Sequence, residues 1–188
     1  YAGEYLGKIH RKSYRLQNKS ARYFLAPKAI KYLQQVMPDA SLDSRLRERT
    51  RSEAFIDQQV AIHGACVALG MKYSDDTVIM TGPEMSGIEG IIKPLPSLFV
   101  QPKKQRHYFI ELTDDQHLFI VKKRIRKYID HYESEDWEWE QYPDVHIVRS
   151  SKSEQRKLKE YADEKMEDAY LDEDDFSFVF RSLLDIDS

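Results

Sequence analysis

Between His117 and Tyr132 the residues Leu118, Val121, Ile125, Tyr128 and Tyr132 recur every three to four positions. Lys122, Lys123, Arg124, Arg126 and Lys127 occupy the places between them. That period predicts an amphipathic helix with one apolar stripe and a basic opposite side. Short runs of strand length flank it, His107–Leu112 before and Val145–Val148 after. Earlier stretches at Thr77–Thr81 and Leu98–Gln101 read the same way, separated by Gly82-Pro83, Gly87, Gly90 and Pro94 to Pro96. A helix capped by Ser153 runs to about Ala169, and a last strand covers Phe176–Phe180. A long helix from about Leu42 to Leu69, ending at Gly70, precedes the first of these strands. The predicted order is helix, three strands, helix, strand, helix, strand: an α/β layered domain with a mixed central sheet over residues 42–188.

Residues 1–37 have a different character. Tyr1–Gln35 contain eight Lys and Arg against Glu4 alone, a net of +7, while the remainder carries −10. A net charge of −3 therefore conceals a basic arm on an acidic body. Within the arm, Lys8–Arg11 and Ser13–Leu16 read as short strands, Gln17–Ser20 as a turn and Ala21–Leu25 as a returning strand. Pro27 then opens a helix carrying Ala29, Ile30, Leu33 and Val36 on one side, and Met37–Ser41 is the linker. Laid along a nucleic acid, such a hairpin would set Lys12, Arg15, Lys19, Arg22 and Lys28 against phosphates, giving salt-sensitive affinity with little base reading. The alternative is an ordinary solvated hairpin.

Several classes are disfavoured by what the chain holds. Its apolar runs are only a few residues long, so no segment is expected to span a bilayer. Cys66 is the only cysteine, in Ala65-Cys66-Val67-Ala68, and is expected as a small buried core residue in a cytoplasmic protein. The six His show no metal-ligand spacing, and no phosphate-cradling Gly-rich loop or nucleophile elbow occurs. Trp137 and Trp139 alternate with acids, which suits half-buried lid residues or a protein contact better than base stacking. Asp172–Asp175 is expected as an exposed turn.

Two stretches carry a family resemblance. Tyr14-Arg15-Leu16 with Tyr23-Phe24-Leu25-Ala26-Pro27-Lys28-Ala29 resembles the wing and last helix of a winged-helix domain. Leu95–Val100, Tyr108–Leu112, the Lys122–Tyr132 helix and Tyr142–Val148 are similar to the replication-relaxation family of plasmids and other mobile elements. The resemblance implies a winged-helix remnant, wing plus helix, joined to a restriction-endonuclease-like domain related to the PD-(D/E)xK nucleases. The chain begins at Tyr1 rather than Met, and a base-reading recognition helix is expected upstream of it, in a longer polypeptide.

The nuclease chemistry that the resemblance implies needs an acid just after a Pro and an acid on the next strand, together holding Mg²⁺. A Lys two positions further activates water. Here Pro96 is followed by Ser97, Glu111 holds the second acid's place, and Thr113 stands where the Lys would be. A lone carboxylate holds Mg²⁺ poorly. Asp114 and Asp115, or Glu84 and Glu89, are the candidate substitutes. Otherwise Glu111 is a strand-end residue paired with a Lys or Arg of the following helix. No catalytic residue and no metal ligand is assigned, with Glu111 as remnant candidate and Mg²⁺ entering only under a nuclease reading.

Three functions follow. The first is a non-enzymatic accessory or regulatory protein of a plasmid or mobile element, acting in replication, relaxation or transfer. It would bind double-stranded DNA and possess replication or relaxation proteins as partners. The second is a Mg²⁺-dependent DNA nuclease with a rearranged site, and the third a protein-interaction module. The Lys122–Lys127 helix face is read as solvated, with a second phosphate contact as the alternative. Sequence specificity, host and oligomeric state stay open.

Overall fold

The computed structural model describes residues 4–9, 14, 16, 18–37, 42, 51–73 and 77–185. Two compact units divide the chain, Tyr1–Asp57 and Gln58–Ser188.

In the first unit, β1 (Leu6–Ile9) and β2 (Arg22–Leu25) pair antiparallel, Leu6 opposite Leu25 and Ile9 opposite Arg22. Gly7 lies so close to the Phe24 ring that any Cβ would collide with it. α1 (Pro27–Val36) follows directly, with Pro27 in the first turn where its missing N–H is not needed. Ala29, Ile30 and Tyr14 are buried. The strand expected over Ser13–Leu16 does not form at its described positions, because Tyr14 and Leu16 are helical. Asn18 takes the left-handed conformation at φ 51° and the Lys19 N–H donates to the Tyr14 carbonyl at 2.8 Å. That is how a helix ends, rather than how two strands turn.

α2 (Glu53–Lys72) is shorter at its start than expected. Leu42 is not helical, most of Met37–Ser41 lies outside the described residues, and the Ser52 hydroxyl accepts the Phe55 N–H at 3.2 Å. The helix also continues past Gly70, since Leu69 is held in the core and the Tyr73 N–H still reaches the Leu69 carbonyl at 2.9 Å.

The second unit is built on one sheet of β3 (Val78–Thr81), β4 (Leu98–Gln101), β5 (Tyr108–Leu112), β6 (Asp144–Val148) and β7 (Phe178–Arg181), adjacent in that order. The first three form an antiparallel meander and the last three run parallel. The parallel strands are joined by α4 (Leu118–Glu133) and α5 (Lys152–Asp168), the crossover helices that parallel pairing requires. A four-residue helix, α3 (Gly82–Met85), replaces the plain separator expected at Gly82-Pro83. Ser151, not Ser153, is the residue before α5.

Strand alternation divides the core. Leu98, Val100, Tyr108, Ile110, Leu112 and Val148 meet Ala65 and Leu69 of α2 on one side. Phe99, Phe109, Val145 and Ile147 meet Val121, Ile125 and Tyr128 of α4 and Leu158 and Ala162 of α5 on the other. Parallel strands covered on both sides are expected to be apolar throughout, and β5, buried at every position, is so except at Glu111. Cys66 is half-buried rather than a full core residue, because Ala65 and Leu69 hold the centre of the α2 stripe. Gly90, at φ 67°, runs so near residues 136–138 that an added Cβ would lie 2.8 Å from the Asp136 carbonyl. Asp172–Asp174 are exposed as expected, whereas Asp175 accepts the Tyr132 hydroxyl at 2.6 Å. Among the described residues no helix is long and apolar enough to cross a membrane.

His146 interrupts the apolar run of β6. Its ring stacks on Tyr108 at 4.2 Å, and its Nδ1 is buried without a partner among the described residues. Burial first, then the positive charges of Arg181 and Lys72, push the imidazole down to about 3. Above pH 6.5 the ring is neutral in folded and unfolded chains alike. Below that the unfolded chain takes up a proton which the folded chain refuses, so His146 erodes stability by about 1.4 kcal/mol per pH unit until about pH 3. Urea unfolding of the wild type and His146→Phe at pH 7.5 and 4.5 should therefore show the variant losing about 2–3 kcal/mol less on acidification. Parallel losses would refute this.

Candidate functional site

The register of β4 and β5 brings Ser97, Glu111 and Thr113, the positions expected for a nuclease motif, to one end of the sheet. Leu98 pairs with Ile110, and the Leu112 N–H donates to the Ser97 hydroxyl at 3.1 Å. Thr113, just beyond β5, donates its N–H and its hydroxyl to the Val148 carbonyl, each at 3.0 Å. Ser97 and Thr113 thus spend their hydroxyls on the backbone.

Glu111 is 6% exposed. One carboxylate oxygen, Oε1, accepts the Arg124 Nε–H and the Tyr128 hydroxyl, both at 2.6 Å. Arg124 Nη2 also donates to the Tyr128 oxygen at 3.2 Å, and its guanidinium lies 4.6 Å from the centre of that ring. Both partners come from α4, one turn apart, which is the spacing that puts them on one helix face. Burial opposes charge on Arg124, but the Tyr128 oxygen and the Glu111 carboxylate outweigh it and raise the guanidinium. Burial, and then the Glu111 charge, hold the Tyr128 phenol well above its ordinary range.

Sequence reading placed Arg124 on the wet side of α4, and the structure corrects that. Residues 121, 124, 125 and 128 are all buried, the i, i+3, i+4, i+7 positions of one face. That spacing was available in the sequence and was masked by the neighbouring cations. Arg149 was missed altogether. It is 6% exposed, donates to the Thr113 and Gln116 carbonyls and pairs with Glu154 at 2.6 Å, tying the ends of β5 and β6 to α5. No periodic signal marked it.

The substitute acids do not converge on Glu111. Asp114 accepts both the N–H and the hydroxyl of Ser150, at 2.7 Å each. Glu84 accepts the N–H and hydroxyl of Thr81 at 2.6 and 2.9 Å. Asp115 and Glu89 are exposed. Among the described residues no group of three His, Cys, Asp or Glu could hold a metal ion. The carboxylate of this centre is engaged by Arg124 and Tyr128.

The basic arm is partly neutralised too. Lys19 Nζ pairs with Asp57 at 2.7 Å and Glu53 at 3.7 Å, and Arg22 pairs with Asp57 at 3.3 Å. The hydrogen bond from Lys19, and then that from Arg22, hold the Asp57 carboxyl below its ordinary range. Lys28 pairs with Glu4 at 3.1 Å in an exposed contact. Lys12 and Arg15 lie outside the described residues. Lys8 and Lys31 are exposed, with no carboxylate partner among the described residues.

Removing one half of a buried ion pair strands the other. Glu111→Ala should lower unfolding free energy by about 3–5 kcal/mol, and adding Arg124→Met should restore most of it. A Glu111→Ala protein as stable as wild type in urea titration would show that the pair does not hold α4 to the sheet. Comparison with protein-family models, with curated proteins and with solved structures gives no match to this chain.

Proposed function

We propose that this protein is a non-catalytic, DNA-binding accessory protein whose α/β unit descends from a nuclease-like domain and serves as a scaffold. One observation carries the reading: the single acid at the motif's place, Glu111, is buried against Arg124 and Tyr128. Its neighbours Ser97 and Thr113 supply no metal ligand of the required charge. Mg²⁺ would have to displace a buried guanidinium and leave it unpaired, which is costly. The element order of helix, strand, short helix, two strands, helix, strand, helix and strand is compatible with the resemblance to a nuclease-like domain of plasmid or mobile-element proteins. The antiparallel pair of β1 and β2 followed by α1 supports the winged-helix part, while Tyr14 and Leu16, expected in the wing as strand, are helical. Under this reading, Lys8, Lys31 and the partly exposed Lys28 supply sequence-independent phosphate contacts.

A second reading, a protein-interaction module, draws on the apolar exposure of the first unit. Leu16 is 90%, Tyr23 56% and Tyr32 53% exposed, more bare apolar surface than a DNA arm needs.

Two measurements test the first reading. Supercoiled plasmid incubated with the protein and Mg²⁺ or Mn²⁺ should stay uncut, and 10 mM Mg²⁺ should leave the melting temperature unchanged, because an ion bound only by the folded state would raise it. Nicking that disappears in Glu111→Ala would overturn the reading. In addition, duplex binding should weaken steeply with salt, and changing Lys8 and Lys31 to Ala should reduce the log–log slope by about 2. Absence of duplex binding at low salt would favour the interaction module.

A further inference from the structure

α4 breaks a local rule without an internal reason. Lys122 and Arg126, and Lys123 and Lys127, are like-charged pairs four residues apart on the same helix, with no acid before Asp130. Each such pair is unfavourable by a few tenths of a kcal/mol in an isolated helix. Lys123, Arg126 and Lys127 are exposed, and among the described residues none of the four has a carboxylate partner. Beside them an open groove of about 430 Å³ lies between α4 and α5, lined by Leu118, Phe119, Lys122, Lys157 and Tyr161. The groove also touches Glu160 and Glu164. Glu160 is held by Arg156 at 3.8 Å and Glu164 by Lys165 at 2.8 Å. Lys157 is left without a carboxylate among the described residues.

Aromatic rings line the same cations. Phe119 is 58% exposed, its ring stacked with that of His117 at 6.1 Å and approached by Lys123 at 5.7 Å. Lys122 lies 4.5 Å from the centre of the Tyr161 ring. Neighbouring Ile120 is 42% exposed. Beside the groove Lys122, Lys123, Arg126, Lys127 and Lys157 outnumber Glu160 and Glu164, and the exposed Phe119 ring lies among them. That suits a ligand that is polyanionic and flat in alternation, and single-stranded nucleic acid is that ligand. A duplex satisfies the cations but keeps its bases stacked inside, leaving Phe119 unused. An acidic peptide satisfies the cations and offers no planar partner.

We propose that the groove between α4 and α5 binds single-stranded nucleic acid, with Lys122, Lys157, Lys123 and Arg126 on phosphates and a base against Phe119. This shares only its ligand class with the reading above, since it uses neither Lys8 nor Lys31, so the two can fail separately.

Fluorescence anisotropy on the whole chain tests it, with labelled dT20, rU20 and a 20-base-pair duplex at 50 and 200 mM NaCl. dT20 and rU20 differ in the thymine methyl as well as the sugar, so dU20 is added, and the tighter of dU20 and rU20 names the natural sugar. The expected results are single-strand binding that weakens with salt, about tenfold weaker binding by the Lys122→Ala, Lys157→Ala double variant, and a loss of about fivefold or more in Phe119→Ala. Phe119→Ala should leave duplex binding unchanged. All three side chains face the groove, and unchanged circular dichroism and melting temperature confirm folding. Single-strand binding that survives removal of Lys8 and Lys31 supports the groove even where the duplex reading fails. No oligomer binding at 50 mM NaCl, indifference to Phe119→Ala in folded protein, or equal competition by poly-glutamate would overturn it.

Discussion

The contact between Glu111 on β5 and Arg124 on α4 sets the geometry of the second unit. Taking a carboxylate and a guanidinium out of water costs several kcal/mol per ion, and the short hydrogen bonds among Glu111, Arg124 and Tyr128 recover that only in one arrangement. A slip of α4 by a turn along the sheet would leave Glu111 buried and unpaired. The apolar contacts of Val121 and Ile125 with the sheet are less demanding, because hydrophobic burial has no direction. The ion pair therefore adds little net stability beyond a hydrophobic substitute, yet it fixes which turn of α4 lies over β5.

From that register the end of the sheet follows. With α4 fixed, its entry loop passes the ends of β5 and β6, and Arg149 gathers the Thr113 and Gln116 carbonyls while pairing with Glu154 of α5. Asp114 binds Ser150 across the same gap. In open α/β sheets the carboxyl ends of parallel strands are where ligands usually sit, at a point where strand order reverses. Here β5, β6 and β7 follow one another without reversal, and the chain's own side chains fill the ends.

Much of this was legible from residues alone where a period was long or a strand fully buried. The α4 stripe and the runs at Leu98–Gln101 and Tyr108–Leu112 fixed elements to within a residue or two. The buried, strand-length runs needed no partner to be recognised, because each carries its apolar signal within itself. What failed were pairings between distant residues and short ambiguous segments. Asp57 lies 38 residues from Lys19 and 35 from Arg22, and no local pattern links them. Tyr14 and Leu16 alternate as a strand would, but the burial of Tyr14 and the left-handed Asn18 favour a helical end. Arg124 was misplaced because its residue type was weighed above its position on the helix.

The distribution of paired and unpaired charge then separates scaffold from candidate surface. Arg106, Arg124 and Arg149 are buried or half-buried and each has carboxylate or carbonyl partners, so they are spent on the fold. Lys159 and Lys165 pair with acids of α5 along that helix. In a chain of net charge −3, with more acids than bases, leaving Lys122, Lys123, Arg126, Lys127 and Lys157 without a carboxylate ion pair among the described residues is not forced by any shortage of anions. Local rules are violated where another demand competes with stability. On α4 the violation coincides with an exposed Phe and a groove, and a folded scaffold alone requires none of the three.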